Sequence, residues 1–423
     1  MKMKNRSRRD STTRLPQEFF TNLLEVVSSF TAPNLMQKYH DTKERRDRYL
    51  REEWTVIQEN SAPKVFRQID YEYLLTLINL QYEDDTTKLF QPYLSMVRVC
   101  LQFGEMQKAH DLLEVLEKHY TEYGLREQSQ FLMLKGKWAL QARELDLAEK
   151  CYTDALELFA RLNETHGMVK ALNNLGILSL ELWDIEQGKE YFIQAERMVS
   201  QSKTPVEPAI TVFVKMNLGI LGGLQGDYEE ACKRFEQLEN DFPALETETR
   251  HKLLLNKGVA LKHLHRFDEA RATLQQAARG AWDIPNYYIF SDATLELAEI
   301  EIREENHDEG IQHLSTAFKI LAKMHDRASL ADAYRIFGIL YMQQEYNELA
   351  ESQFKMSLHL AREYGNLQYL TEIYYDYSQF AKNKGDRDAQ VQYLEKSLAF
   401  ARVMDATKKV HNLEKALQRV ETG

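Results

Sequence analysis

Internal repetition constrains this chain more than any other feature, because a segment recurring at a fixed spacing must stack copies of one unit rather than fold as a single globule. Three segments align directly: ALNNLGILSLELWDIEQGKEYFIQA from Ala171, VKMNLGILGGLQGDYEEACKRFEQL from Val214, and LLLNKGVALKHLHRFDEARATLQQA from Leu253. Each carries Asn, then Gly two residues on, a short polar turn, and an amphipathic stretch with helical spacing. Extending the register gives eight repeats, beginning near residues 90, 129, 169, 212, 251, 291, 331 and 371. A small residue recurs at Gly136, Gly176, Gly219, Gly258 and Gly338, with Ala298 and Ser378 in two further copies. A second small position holds Ala109, Ala148, Gly188, Ala231, Ala270, Gly310 and Ala350, and a third holds Ala155, Ala195, Ala277 and Ala317. Between the second and third stands a large apolar residue: Leu113, Tyr152, Phe192, Phe235, Leu274, Leu314, Phe354 and Leu394. Small residues let helix axes approach to the short end of the ~8–10 Å range, and the large residue fills the groove between them. Gly and Pro number 17 and 8 of 423 residues, well under the roughly 12% of an average chain, so helix is expected almost throughout.

This pattern resembles the tetratricopeptide repeat, a helix-turn-helix unit of 34 residues. The resemblance implies an all-α, right-handed solenoid of about eight repeats, in which the first helix of each repeat lines a concave groove. The spacing here is near 40 residues, so about six extra residues are expected in the second helix or in the loop between repeats. Pro205 and Pro208 fall in the widest gap, and Pro243 stands at a helix stop. Residues 405–423 read as one more amphipathic helix, the polar cap that a solenoid needs. Upstream the repeat fades while helical periodicity continues. Phe19 to Phe30, Tyr39 to Ile57, and Val65 to Ile78 suit three helices. The expected division is therefore a helical segment at 1–85, open to a three-helix bundle, and a solenoid at 86–423.

By the same resemblance, fixed positions of each first helix face the groove. One of them is Asn174, Asn217 and Asn256 in three consecutive repeats, with Asn173 beside the first. A carboxamide offers two donors and an acceptor, so a ladder of them can hold an extended peptide by its backbone; Asn there can equally bond the neighbouring helices. Lys170, Lys252, Lys262, Glu296, Arg303, Arg335 and Asp376 are charged candidates by the same mapping. Lys252 and Arg335 suit a carboxylate, while Glu296 and Asp376 suit a peptide amino terminus or basic side chain. The expected peptide-binding set is Asn173, Asn174, Asn217, Asn256, Lys252, Glu296, Arg335 and Asp376.

Enzymatic signals are absent from the sequence. The run Gly219, Gly222, Gly223, Gly226 lacks the Lys-Ser/Thr ending and the strand-turn-helix setting of a phosphate loop. His263 and His265 are two apart and read as surface residues on different helix faces, and no metal or other cofactor is expected. Cys100, Cys151 and Cys232 fit neither a disulfide framework nor a zinc site, so buried free thiols in a reducing cytoplasm are expected. The most apolar stretch, 209–224, is too short and too polar for a membrane span, and the N-terminus lacks the apolar core of a secretion signal. The formal charge of −11 is uneven: residues 1–60 hold 12 Lys/Arg against 9 Asp/Glu. That segment alone can attract phosphate. Its interleaved acids and the lack of a clear helix-turn-helix do not favour DNA.

An all-helical chain with some eight repeats of ~40 residues, an Asn ladder and a short helical N-terminal segment resembles the peptide-sensing regulators of Gram-positive bacteria, the Rap, NprR, PlcR and PrgX group. The layout is closest to the Rap type. The resemblance implies a cytoplasmic regulator that binds a short signalling peptide through Asn174, Asn217 and Asn256. It further implies that the peptide changes how the protein engages a response regulator or transcription factor, as in quorum sensing; a homodimer is compatible with it. The glutamine used by dephosphorylating Rap proteins has no counterpart placed here, so phosphatase activity is not carried over. The competing readings are a constitutive repeat adaptor holding the tail of another protein, and a Rap-like phosphatase.

Overall fold

A computed structural model of the chain describes residues 86–422 apart from 103–104, 203–205, 246, 284–285 and 325. The proposed boundary at residue 85, the three expected N-terminal helices and the basic segment before them lie outside the described residues. Among the described residues there are 17 α-helices, one short 3-10 turn at Tyr120–Glu122, and no strand. Numbered in chain order they are α1 Thr86–Gln102, α2 Met106–Lys118, α3 Leu125–Gln141, α4 Leu145–Arg161, α5 Thr165–Glu181 and α6 Ile185–Gln201. Next come α7 Pro208–Leu224, α8 Tyr228–Asp241, α9 Thr247–His263, α10 Phe267–Asp283, α11 Tyr287–Arg303 and α12 His307–Lys323. The last five are α13 Arg327–Gln343, α14 Asn347–Glu363, α15 Leu367–Asn383, α16 Arg387–Val403 and α17 Thr407–Thr422. The chain divides into two compact units, one ending at Cys151 and the other beginning at Tyr152. No helix among the described residues is long and apolar enough to cross a membrane.

The eight expected repeats are the pairs α1/α2 through α15/α16, with α17 as the additional helix. Each first helix begins about four residues before the sequence-derived start, and the extra length is placed differently from the expectation. It extends both helices: from α3 onward every helix has 17 residues except α8 with 14 and α17 with 16. The intervening turns are short because their middle residue takes a left-handed conformation. Gly226, Gly365 and Gly385 do this at little steric cost, but Arg143, Asn163, Trp183, His265, Glu305, Glu345 and Asp405 do it as well, with φ between 51° and 65°. Each such turn satisfies the orphan carbonyls of the preceding helix; around Trp183, for example, Asp184 N donates to Ser179 O at 2.8 Å and Trp183 N to Leu180 O at 3.1 Å.

The small positions do what their spacing implies. A Cβ added at Gly176 would lie 2.5 Å from the Phe192 ring, at Gly219 2.7 Å from Phe235, at Gly258 2.5 Å from Leu274, and at Gly338 2.6 Å from Phe354. In each case the clash is with the large apolar residue of the same repeat, which is buried. Cys100, Cys151 and Cys232 are free and buried, and burial pushes the Cys232 thiol up to about 11 and the Cys100 thiol to about 12. They are inert packing residues.

Because Phe192 has no room to retreat, Gly176→Ala should lose more to overpacking, about 1–3 kcal/mol, than the helix gains from Ala over Gly, about 0.5–1 kcal/mol. Urea denaturation of Gly176→Ala beside Gly176→Ala/Phe192→Leu checks this. The single variant should be less stable than wild type, and the double variant should recover part of the loss.

Candidate functional site

Within the unit that begins at Tyr152, the first helices of successive repeats present their polar side chains along one face. The Asn ladder occupies α5, α7 and α9. Asn217 Nδ2 donates to Asn173 Oδ1 at 2.8 Å, linking α7 to α5. Asn256 turns its Nδ2 to the Lys252 carbonyl of its own helix at 2.8 Å and lies 3.6 Å from Met216 Sδ. Asn174 is half-buried and has no side-chain hydrogen bond among the described residues. Lys252 stands apart from the other charged candidates: its ammonium pairs with Glu248 at 2.8 Å and lies 5.1 Å from the centre of the Phe213 ring.

Glu296, Arg335 and Asp376, spaced about 40 residues apart, meet in one buried ion network. Arg335 on α13, 2% exposed, is its centre. Its two terminal nitrogens donate to both Glu299 oxygens at 3.0 and 2.8 Å, its Nε donates to Asp332 at 2.7 Å, and Nη1 also reaches Asp376 at 2.8 Å. One guanidinium thereby binds carboxylates from α11, α13 and α15. Arg303 joins Glu299 at 2.8 Å and Asp376 at 3.2 Å, and Lys262 on α9 lies 2.5 Å from both Glu296 and Glu299. Removing so many charges from water is affordable only because nearly every donor finds a carboxylate oxygen.

The network extends to the C-terminal helix. Lys409 on α17 lies 3.6 Å from Glu372 and 5.8 Å from the centre of the Tyr228 ring, and that ring stacks on His263 with centroids 4.3 Å apart. The adjacent Lys408 pairs with Asp227 at 2.9 Å and Glu229 at 3.4 Å, about 180 residues away in sequence. Gly226 is packed so closely there that a Cβ would lie 3.1 Å from Lys408 Cβ. A second long-range contact joins two turns: Trp183 Nε1 donates to Gly365 O at 3.0 Å. Beside the network lies a cavity of about 540 Å³, bordered by Tyr228, Lys262, Glu299, Arg335, Asp376 and Lys409 among others.

Charge is not balanced evenly across the site. Glu296, Glu299, Asp332, Glu372 and Asp376 face four cations, Lys262, Arg303, Arg335 and Lys409. Burial raises the Glu299 carboxyl, but Arg335, Lys262 and Arg303 outweigh it and hold the group well below the usual carboxylate range. Glu372 is likewise brought down to about 2, its burial overcome by Lys409 and Arg335. Glu296 and Asp332 go the other way, because burial and the acids around them exceed what Lys262 and Arg335 return. Asp292, one turn before Glu296, is pushed well up by burial and by Asp326, Glu296 and Asp332. The Asp292, Glu296 and Asp332 end of the site is thus short of positive charge, and a cationic group placed there would relieve it.

Of the sequence-derived candidates, Glu296, Arg335 and Asp376 come together with Lys262 and Arg303. Asn173 and Asn217 pair with each other, while Asn174, Asn256, Lys252 and the exposed Lys170 make no contact with the network. Glu299, Asp332 and Glu372 were missed although they occupy groove positions of the same repeat register, so the register itself was the signal. Lys409 carried none, because the capping helix has no repeat position. The reading of His263 as a surface residue is corrected. It is partly buried between Tyr228 and the cavity, and desolvation, reinforced by the charge of Lys262, pushes its imidazole down to about 3. His265, which sits in a turn, is exposed as expected.

The tetratricopeptide repeat family matches residues 371–402. No curated protein matches the sequence. Among solved structures, the chain is similar to a Rap protein complexed with Competence and Sporulation Factor, at 15% identity over 89% of this chain and 100% of that chain, with a TM-score of 0.56. It is also similar to the Rap conjugation gene regulator of the plasmid pLS20 in complex with the Phr* peptide, at 16% identity over 88% and 96% of the two chains, TM-score 0.56. A third is the apo form of the quorum sensor NprR from B. thuringiensis, at 14% identity over 85% and 99%, TM-score 0.52. The chain therefore has the repeat solenoid fold shared by the Rap and NprR structures.

Two measurements test the energetics of the site. Arg335→Gln strands Glu299, Asp332 and Asp376 without their shared cation and should cost about 3–5 kcal/mol in urea denaturation. The second concerns pH. A histidine in the unfolded chain titrates near 6.5, whereas native His263 stays neutral down to about 3. The unfolded state therefore takes up a proton that the native state refuses, and stability present above pH ~6.5 is lost as pH falls toward 3. Thermal melts between pH 7.5 and 5 should fall with acidity, and His263→Phe, which keeps a ring against Tyr228, should flatten that decline.

Proposed function

We propose that this protein is a peptide-responsive regulator: a short peptide binds along the polar face of α5, α7, α9, α11, α13 and α15 and alters how the protein engages a regulatory partner. The observation that carries this reading is the convergence of groove-facing side chains from successive repeats into one ion network, of which Lys262, Glu299, Arg335 and Asp376 border a cavity of about 540 Å³ while Glu296 and Asp332 form an acidic end outside its lining. A purely structural solenoid face would be filled by apolar side chains, which pack at lower desolvation cost. The likeness in fold to structures determined with the Competence and Sporulation Factor and with the Phr* peptide supports the same reading.

In this reading the half-buried carboxamides of Asn173, Asn174 and Asn256 and the buried one of Asn217 take the peptide backbone. Asn217 and Asn256 exchange their present bonds to Asn173 and the Lys252 carbonyl for peptide groups, so little hydrogen bonding is lost on release. The acidic end at Glu296 and Asp332 receives an amino terminus or a basic side chain. Coupling to a partner requires that the peptide bind one arrangement of the repeats more tightly than another. The contacts of α17 with Asp227, Glu229 and Glu372 are where such arrangements would differ, since they join helices far apart in sequence.

Titration calorimetry against synthetic penta- to heptapeptides cut from the small secreted proteins of the source organism tests the proposal. At least one should bind with a dissociation constant in the micromolar range or below. Asn217→Ala should weaken that binding by about tenfold, the value of one to two hydrogen bonds. Absence of binding by every peptide would overturn the reading.

A further inference from the structure

Next to the ion network lies a second cavity, of about 530 Å³, whose chemistry is the opposite of the acidic end. It is bordered by the last turns of α15 and α17 and the start of α16. Lys382, Arg387 and Arg419 line it together with Gln379, Gln390 and Tyr375, and no carboxylate is among its lining residues. Tyr375, Ala416 and Arg419 border the first cavity as well, so the two spaces adjoin. Arg387 is fixed in place because its guanidinium donates to the carbonyls of Val420 and Glu421 at the end of α17. Lys382 and Arg419 have no ion pair among the described residues, in contrast to Lys262, Arg303 and Arg335 of the network. Asp386, between the lining residues Gly385 and Arg387, accepts from Ala389 N at 3.0 Å and caps α16. The C-terminal dipoles of α15 and α17 offset about one unit of positive charge between them, which leaves the three cations in excess.

Resting on the peptide-binding reading above, we propose that this cavity is the subsite for the carboxylate terminus of the bound peptide, so that the peptide runs past Glu299, Glu372 and Asp376 of the first cavity and ends with its free carboxylate at Arg419 and Lys382. A guanidinium presents two parallel N–H donors that match a carboxylate, and charge-assisted bonds of this kind are among the strongest available to a short ligand. Gln379 and Gln390 each carry a donor and an acceptor for the last peptide units. Tyr375, 40% exposed at the junction of the two cavities, offers a ring face to a side chain passing between them. A basic end gives the groove a direction, which an Asn ladder alone does not, because backbone amides read the same chemistry from either end.

The test uses the full chain and two random heptapeptide pools that differ in one respect, a free carboxylate against a carboxamide at the C-terminus. Each pool is passed over the protein, and bound peptides are recovered by size exclusion and counted by mass spectrometry. The free-acid pool should yield about tenfold more bound peptide than the amidated pool. Lys382→Gln/Arg419→Gln should erase that preference while keeping the wild-type melting temperature, and Arg419→Lys, which retains the charge but not the fork, should keep part of it. Equal capture from both pools by the wild type, or an unchanged preference in the double variant, would overturn the carboxylate subsite and leave peptide binding standing. No capture from either pool would overturn both.

Discussion

The structure depends on one steric bargain repeated along the chain: a residue with no side chain, or only a methyl group, faces a large apolar residue at the point where two helices cross. At Gly176 and Phe192, at Gly219 and Phe235, at Gly258 and Leu274, and at Gly338 and Phe354, the space of the missing side chain is occupied by the partner ring or isobutyl group. The crossing sets the distance and angle within a repeat. Stacking then brings the same positions of successive first helices onto one face. Three-residue turns with a left-handed middle residue hold the pairs tight. Most of these turns use ordinary residues, and that strain is tolerated because the helices flanking them have 16 or 17 residues whose packing over-determines the turn.

Stacking has a chemical consequence where the face is polar. Positions 40 residues apart become neighbours, so acids and bases that are solvated in an isolated helix must neutralise one another. Arg335 does most of this, holding Glu299, Asp332 and Asp376 at once. Such a network is weak evidence for stability, since its desolvation cost approaches its Coulombic gain. The uneven distribution of charge along it, acidic at Asp292, Glu296 and Asp332 and basic at Lys382, Arg387 and Arg419, gives the face a polarity that a uniform lining would lack.

The capping helix has two roles. As expected of the last element of a solenoid, α17 covers the exposed side of α16, with Leu413 buried among Leu394, Leu398 and Ala401. It also carries Lys408 to Asp227 and Lys409 to Glu372 and Tyr228. The helix that covers α16 is therefore also a wall of the cavity.

Much of the fold was legible from the sequence, because the repeat is a local pattern: glycine spacing, the large apolar partner, the helix stop at Pro243 and the terminal amphipathic stretch each depend on residues within one or two helices. The site was legible in part. Register alone grouped Glu296, Arg335 and Asp376, which meet in one ion network, and Glu299, Asp332 and Glu372 sit at positions the same register covers. What the register did not contain is which charges pair. Lys252 bonds its own helix instead of joining the cluster, and Asn256 turns to its own backbone, because both choices depend on neighbours such as Phe213 and Met216. His263 reads as a surface residue until Tyr228 and α17 cover it. The sequence by itself determined the repeat, its helical class and the starts of the first helices to within about a turn, since these follow from periodicities of a few residues. The tertiary structure alone decided the contacts across about 180 residues, Trp183 with Gly365 and Lys408 with Asp227. Those depend on the small rotation accumulated from repeat to repeat, and no local pattern of residues encodes that sum.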